Sequence, residues 1–251
     1  MITTIAQQKG GVGKTTTAIN LGVLLARAGR TVLLIDTDPQ AALTRQLGVA
    51  RGPGATLVDV LTGVIDVSSA IRCRIHGVDV LPAAAALAGV EMSLVAEMGR
   101  ERFLQEALAD VTNGYDEIVI DTPPNLGLLT VNALVCAGRV IAPVSAEDEG
   151  ALHGILELRQ TIERLTRRLG LEPPLLLPIL TRWMPLRLSS RSTERALHGL
   201  ELHVAGRIPS RSAAITRAAH DRTPLATSAP DHAVTLAYQR VIDQLAEAAV
   251  R

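Results

Sequence analysis

Residues Lys9 to Thr16 read K-G-G-V-G-K-T-T, directly after an apolar run from Ile2 to Ala6 and directly before a helical pattern that begins near Thr16. A strand, a glycine-rich turn and a helix are the layout of a phosphate-binding loop. Gly10, Gly11 and Gly13 let the backbone curl so that successive N–H groups, those of Val12 and Thr16 among them, point inward, and the helix N-terminus adds partial positive charge. In such a loop Lys14 reaches the β- and γ-phosphates of ATP, and the Thr15 hydroxyl ligates Mg²⁺. Lys9 and Lys14 are the only lysines among 25 basic residues. A chain that otherwise uses arginine keeps the compact ammonium where a point charge must sit among phosphate oxygens.

The rest of the chain supplies a frame for such a loop. At 251 residues one α/β domain suffices, able to bury roughly 75% of the unfolded surface. Apolar residues make up 47% and aromatics only 2%, so the core is expected to be aliphatic, as in buried parallel strands and their covering helices. Strands are expected at Thr31–Ile35, Val78–Leu81, Glu117–Asp121, Val140–Val144, Leu175–Leu180 and Val204–Ile208. Helices are expected from Thr16 to a C-cap at Gly29, at Leu57–Leu61 after a Gly/Pro turn at 52–54, and from the Ala83–Ala88 run to Ala109. Further helices are expected at Leu126–Ala137, Ala151–Leu169, Ser190–Leu200 and His232–Ala249. Strands alternating with helices imply a doubly wound, mostly parallel sheet flanked by helices, a single domain over 1–251.

Two strands end in carboxylates at the sheet edge where open α/β folds bind ligands. The strand Thr31–Ile35 runs into Asp36-Thr37-Asp38-Pro39-Gln40, and Glu117–Asp121 runs into Thr122-Pro123-Pro124. Asp121 stands where a carboxylate holds the Mg²⁺ shell of a bound nucleotide.

The common pattern G-x-x-x-x-G-K-[ST] fails here because its first glycine falls on Gln8. With Lys9 ahead of Lys14, the loop resembles instead the deviant Walker A loop of the ParA/MinD family of dimeric P-loop ATPases. The resemblance extends to D-T-D-P-Q, to Ala142-Pro143-Val144, to the acidic stretch and A-L-x-G of 147–154, to Ile179-Leu180-Thr181 and to Ile208-Pro209. It implies that Lys9 reaches the partner subunit's nucleotide, that Asp38 orients the attacking water, and that Asp36 acts near Mg²⁺ and Lys14. It also implies that Thr181, Arg182, Pro209 and Arg211 line the adenine side. The chain departs from the family with Ser145 after the A-P-V strand, Asp148-Glu149 in a region usually aromatic, and Ser210-Arg211 after Ile208-Pro209.

Residues 1–150 carry 11 basic and 16 acidic side chains, and residues 151–251 carry 14 and 9. The basic half holds Arg187, Arg191, Arg211, Arg217 and Arg222, in the region that forms a non-specific duplex-DNA face on the ATP dimer of chromosomal ParA proteins. The resemblance thus implies an ATP-dependent homodimer, nucleoid-associated when ATP is bound and stimulated by a ParB-like or cargo-adaptor partner. Interleaved aromatics that grip single strands are missing, only Trp183 being nearby, and it reads as a packing residue.

The membrane-associated MinD branch and ATP-dependent synthases with the same loop are the alternatives. The C-terminal segment, with Asp243, Glu247 and many alanines, reads as a core-docking helix rather than a membrane helix. No apolar stretch reaches the ~18–20 residues that span a bilayer. The N-terminus begins at once with a strand, so neither a signal peptide nor an N-terminal operator-binding extension is expected, and the location is expected to be cytoplasmic. Cys73 and Cys136 lack metal-ligand spacing. Cys136–Arg139 faintly resembles the cluster-binding stretch of the nitrogenase iron protein, but no second cysteine follows, and no cluster is expected.

Overall fold

Strand β1 (Ile2–Ile5) sits inside the sheet, and the chain winds outward from it in both directions. A computed structural model describes residues 1–49, 54–148, 150–210 and 212–248. The other described strands are β2 (Val32–Asp36), β3 (Arg72–Ile75), β4 (Val78–Leu81), β5 (Glu117–Asp121), β6 (Arg139–Ser145), β7 (Leu175–Trp183) and β8 (Gly206–Pro209). Their order is β3-β4-β2-β5-β1-β6-β7-β8, and every pairing is parallel except β3 with β4.

The strands are apolar on both faces because both faces are covered. In β5, Ile118, Val119 and Ile120 are all buried. On one side the helix Lys14–Arg27 packs with the last helix, Ala233–Ala248, through Ala18, Leu21, Val234, Ala237 and Val241. On the other side, Leu57, Leu87, Leu104 and Leu129 come from four different helices. The helix Ala151–Leu169 adds Ile155, Leu158 and Ile162 over β6 and β7. The last helix therefore spends its apolar face on the core, as the sequence leads one to expect.

The long helical region expected from the Ala83–Ala88 run to Ala109 begins only at Leu87 and is not continuous. It breaks into helices Leu87–Leu94 and Phe103–Leu108 with a 3-10 turn at Arg100–Arg102 between them. Gly99 takes a left-handed conformation, φ 70°, that a continuous helix forbids. At the front, Ala83 is buried and its N–H donates to the Thr44 hydroxyl, so the first alanines are tied to the sheet edge. The antiparallel strand β3 and the short helices Ala42–Gln46, Val67–Ala70, Ser212–His220 and Leu225–Ser228 have no counterpart in the sequence reading.

The register brings three C-terminal strand ends together. Ile5 of β1 lies opposite Asp121 of β5, and Asp36 of β2 lies opposite the same Asp121. The loop after β1, the turn after β2 and the end of β5 therefore meet in one place.

Candidate nucleotide-binding site

Two glycines carry the loop's turn. Gly11 has φ 71° and Gly13 has φ 98°, a left-handed geometry that side chains resist. Gly13 caps the helix Lys14–Arg27, which starts two residues earlier than the apolar spacing indicates, and Thr17 N–H closes the first turn on Gly13 O at 2.9 Å. Thr15 and Thr16 sit half-buried at that N-terminus, where orphan N–H groups and the helix dipole favour an anion.

The two lysines of the loop point to different places. Lys14 is buried, and its Nζ donates to the Lys9 carbonyl at 3.0 Å. Burial pulls its pKa down, with Asp121 and then Asp38 opposing. Lys9 is half exposed and extends away to an ion pair with Asp148, on the turn after β6. That pairing, with the Gly150 N–H at 3.0 Å, holds the Asp148 carboxyl below the usual range.

Asp36 and Asp121 are both completely buried, yet they are served very differently. Asp36 accepts three hydrogen bonds: Asp38 N–H on Oδ1 at 3.1 Å, and on Oδ2 the Thr44 N–H at 2.9 Å and the Thr44 hydroxyl at 2.7 Å. Burial lifts its pKa to about 6 against those donors. Neither carboxylate oxygen of Asp121 accepts a hydrogen bond from the described residues. Burial first, and then neighbouring Asp36, hold the Asp121 carboxyl well above its ordinary pKa. The Thr15 hydroxyl and Lys14 oppose this, the hydroxyl facing the carboxylate without completing a hydrogen bond of standard geometry.

A buried carboxylate without donors costs several kcal/mol unless something positive is brought to it. Hard oxygen donors beside a phosphate cradle suit Mg²⁺, which keeps most of its waters and takes one or two carboxylates. Thr15 and Asp121 fit that ion; Asp36, with its oxygens already engaged, fits a place behind them. Asp38 is half-buried at the mouth of the site, with its Oδ1 accepting Gln40 N–H at 2.8 Å.

Beside the loop a cleft of about 480 Å³ opens among Gly13, Thr16, Thr181, Arg182 and Pro209. Thr181 donates to Val12 O at 2.9 Å, and Arg182 Nη2 donates to Gly11 O at 3.0 Å from a backbone with φ 52°. Of the three described residues expected on the adenine side, Thr181 and Arg182 thus bond to the loop and Pro209 lines the cleft beside it. Arg211 lies outside the described residues.

The arginines expected at DNA fall on separate elements. Arg187 and Arg191 flank the start of the helix Leu188–Gly199, Arg187 paired with Glu147 and Arg191 donating to Pro185 O at 2.9 Å. Arg217 lies on the helix Ser212–His220, and Arg222 follows it beside the β3–β4 hairpin, its carbonyl 3.0 Å from His76 Nε2. All four are exposed. Trp183 is half-buried, with the Arg207 guanidinium 5.8 Å from its ring centroid. Among the described residues no metal-binding group of three or more His, Cys, Asp or Glu is found, and burial lifts the Cys136 thiol to about 12.

Thr44, Glu147 and Asp148 are the residues the sequence reading left without a site role. Their only signal is position: Thr44 stands eight residues after Asp36, and the two acids follow a strand end at the ligand edge of the sheet.

The parallel sheet, the glycine loop between β1 and its helix, and the acids at the ends of β2 and β5 define a P-loop nucleotide-binding protein. A profile described as "AAA domain" matches residues 1–174. The chain is 46% identical over 159 residues to the chromosome-partitioning ATPase Soj of Treponema pallidum, an alignment covering 63% of this chain and 62% of that protein. Its fold superposes on a plasmid partition protein of Borrelia burgdorferi bound to AMPPNP, with TM-score 0.83, 27% identity and 98% of each chain covered. A cobyrinic acid a,c-diamide synthase of Mycobacterium smegmatis with bound ADP and magnesium gives TM-score 0.83 at 32% identity, over 97% of this chain and 93% of that one. The chain belongs to the ParA/MinD family of P-loop ATPases.

Proposed function

We propose that this protein is a partition or positioning ATPase: it binds ATP with Mg²⁺, closes into a homodimer, binds duplex DNA without sequence preference, and is reset by hydrolysis. The observation that carries this reading is the divergence of the loop's two lysines. Lys14 is turned into its own cradle, whereas Lys9 leaves the cradle for the protein surface and ends on Asp148. A single active site has no use for a second lysine aimed away from it; a site completed across two chains does.

Within that reading the backbone of 10–16 holds the phosphates, and Lys14 neutralises the charge that builds on them. Thr15 and Asp121 hold Mg²⁺, which supplies further charge neutralisation, and Asp36 stands behind them. Asp38, at the mouth of the site, orients the water. Thr181, Arg182, Pro209 and Arg211 border the base. Arg187, Arg191, Arg211, Arg217 and Arg222 meet DNA phosphates, and a ParB-like protein or a cargo adaptor speeds the reset. The protein works in the cytoplasm, on the nucleoid while ATP is bound. Among the described residues no helix is long and apolar enough to cross a membrane.

A second reading, an ATP-dependent synthase that activates a carboxylate, is favoured by the 32% identity to the mycobacterial structure. The discriminating measurement is mass in solution with ATP. Lys9→Ala should bind ATP within about threefold of the wild type, since its ammonium lies outside the cradle, yet remain a monomer where the wild type dimerises. A wild-type chain that stays monomeric with ATP and Mg²⁺, or a Lys9→Ala variant that dimerises normally, removes the proposal and leaves the synthase reading.

A further inference from the structure

The turn that carries Asp38 is held from outside itself. Asp38 N–H rests on Asp36 Oδ1, Gln40 N–H on Asp38 Oδ1, and Ala41 N–H on Asp38 O at 2.7 Å. The turn then passes through Ala41 at φ 49°, a left-handed alanine that opens the helix Ala42–Gln46. Such a residue costs about 1–2 kcal/mol and persists only where its surroundings over-determine it.

Thr44 supplies that determination. It is buried, and both its N–H and its hydroxyl donate to Asp36 Oδ2, at 2.9 and 2.7 Å. Its hydroxyl oxygen in turn accepts the Ala83 N–H at 3.0 Å, from the segment after β4. One side chain therefore binds the carboxylate at the start of the turn, the helix after it, and the neighbouring strand's exit. Asp36 is fixed on Oδ2 by Thr44 and so keeps Oδ1 aimed at the Asp38 backbone.

We infer that Thr44 is a positioning residue for hydrolysis: its hydroxyl, shared between Asp36 and the Ala83 N–H, sets the turn that holds Asp38 where it orients the attacking water. The inference rests on the hydrolytic role given to Asp38 above. The hydrogen bonds of Thr44 go to Asp36, Ala83 and Val49, and Thr44 lines no part of the cleft beside the loop, so the effect is expected in turnover rather than in affinity.

The test is Thr44→Val, which keeps the shape and removes the hydroxyl, beside Thr44→Ser, which keeps the hydroxyl. Both are measured in the full chain for phosphate release, equilibrium ATP binding and thermal melting. Thr44→Val should lower kcat about tenfold or more, the scale of one hydrogen bond to a buried charged group, while ATP affinity moves less than about threefold. Thr44→Ser should stay within about threefold of the wild type in both. Full turnover in Thr44→Val overturns the inference. So does a Thr44→Ser variant as slow as Thr44→Val, or a parallel fall of binding, turnover and melting temperature in Thr44→Val. Asp38→Ala separates this from the parent reading. If that variant turns over normally the role of Asp38 fails, whereas an inactive Asp38→Ala beside an active Thr44→Val sinks Thr44 alone.

Discussion

Lys14 and Asp121 put a buried ammonium and a buried carboxylate in one site, each easing the other's charge while the Asp121 oxygens accept no hydrogen bond from the described residues. Of its three N–H donors, Lys14 spends one on the Lys9 carbonyl. The site is thus arranged for a ligand carrying both signs, phosphate oxygens for the lysine and a metal for the acid. Replacing Lys14 with alanine should cost at least the value of one charge-assisted hydrogen bond, about 1.5–3 kcal/mol, or roughly tenfold to more than a hundredfold in ATP affinity. Equilibrium titration with a fluorescent ATP analogue checks it, and affinity within threefold of the wild type would remove Lys14 from the cradle. At this scale the sequence was legible where a residue's chemistry is bound to a motif. Gly11, Gly13, Lys14, Asp36 and Asp121 could be placed from their order alone. Thr44 could not, because its value comes from Ala83, which a change of strand brings within 3.0 Å.

The turn after β6 shows how an element restrains residues it does not belong to. Ala146 N–H anchors it to Thr181 O at 2.9 Å, and its next two residues, Glu147 and Asp148, pair with Arg187 and Lys9. Two adjacent acids therefore engage one cation assigned to DNA and one assigned to the partner's nucleotide. Half-exposed pairs of this kind are worth little, about 0–1 kcal/mol each. Asp148→Asn should accordingly lower the ATP concentration for half-maximal dimerisation by about twofold to fivefold, measured by analytical ultracentrifugation across an ATP series. An unchanged or higher midpoint would mean that the pair does not compete with dimerisation. Elements with a clear period, such as Leu57–Leu61 and Ala151–Leu169, were read with the bounds the structure has. The Ala-rich region misled because alanine fits a helix and a tied-down strand exit equally well, and the bond to Thr44 that decides between them is a long-range one. Strand β3 escaped notice because its outward residues leave only a half-buried pattern at a sheet edge.

At the scale of the whole molecule the question is how a chain of zero net charge could hold DNA. The excess of basic residues in its second half is spread over separate elements: Arg187 and Arg191 after β7, Arg217 on the helix Ser212–His220, and Arg222 beside the β3–β4 hairpin. Of the five arginines assigned to DNA, four lie among the described residues, and of these Arg187 is already paired with Glu147. Non-specific binding grows with the number of phosphates neutralised, and log K falls with log salt at a slope of about −0.9 per phosphate. Four contacts on a monomer give a slope near −4, whereas a dimer presenting both sets to one duplex approaches about −7. Duplex retention with ATP and Mg²⁺ should therefore follow salt with a slope between about −4 and −7, be lost with ADP, and be insensitive to sequence. The double variant Arg217→Glu, Arg222→Glu should weaken retention on every duplex alike and flatten the slope, while leaving ATP affinity and dimer mass unchanged. Retention equal with ADP and ATP would detach DNA from the nucleotide cycle. A dimer that forms with ATP yet shows no retention at low salt would leave the switch in place and assign its surface to a partner other than DNA.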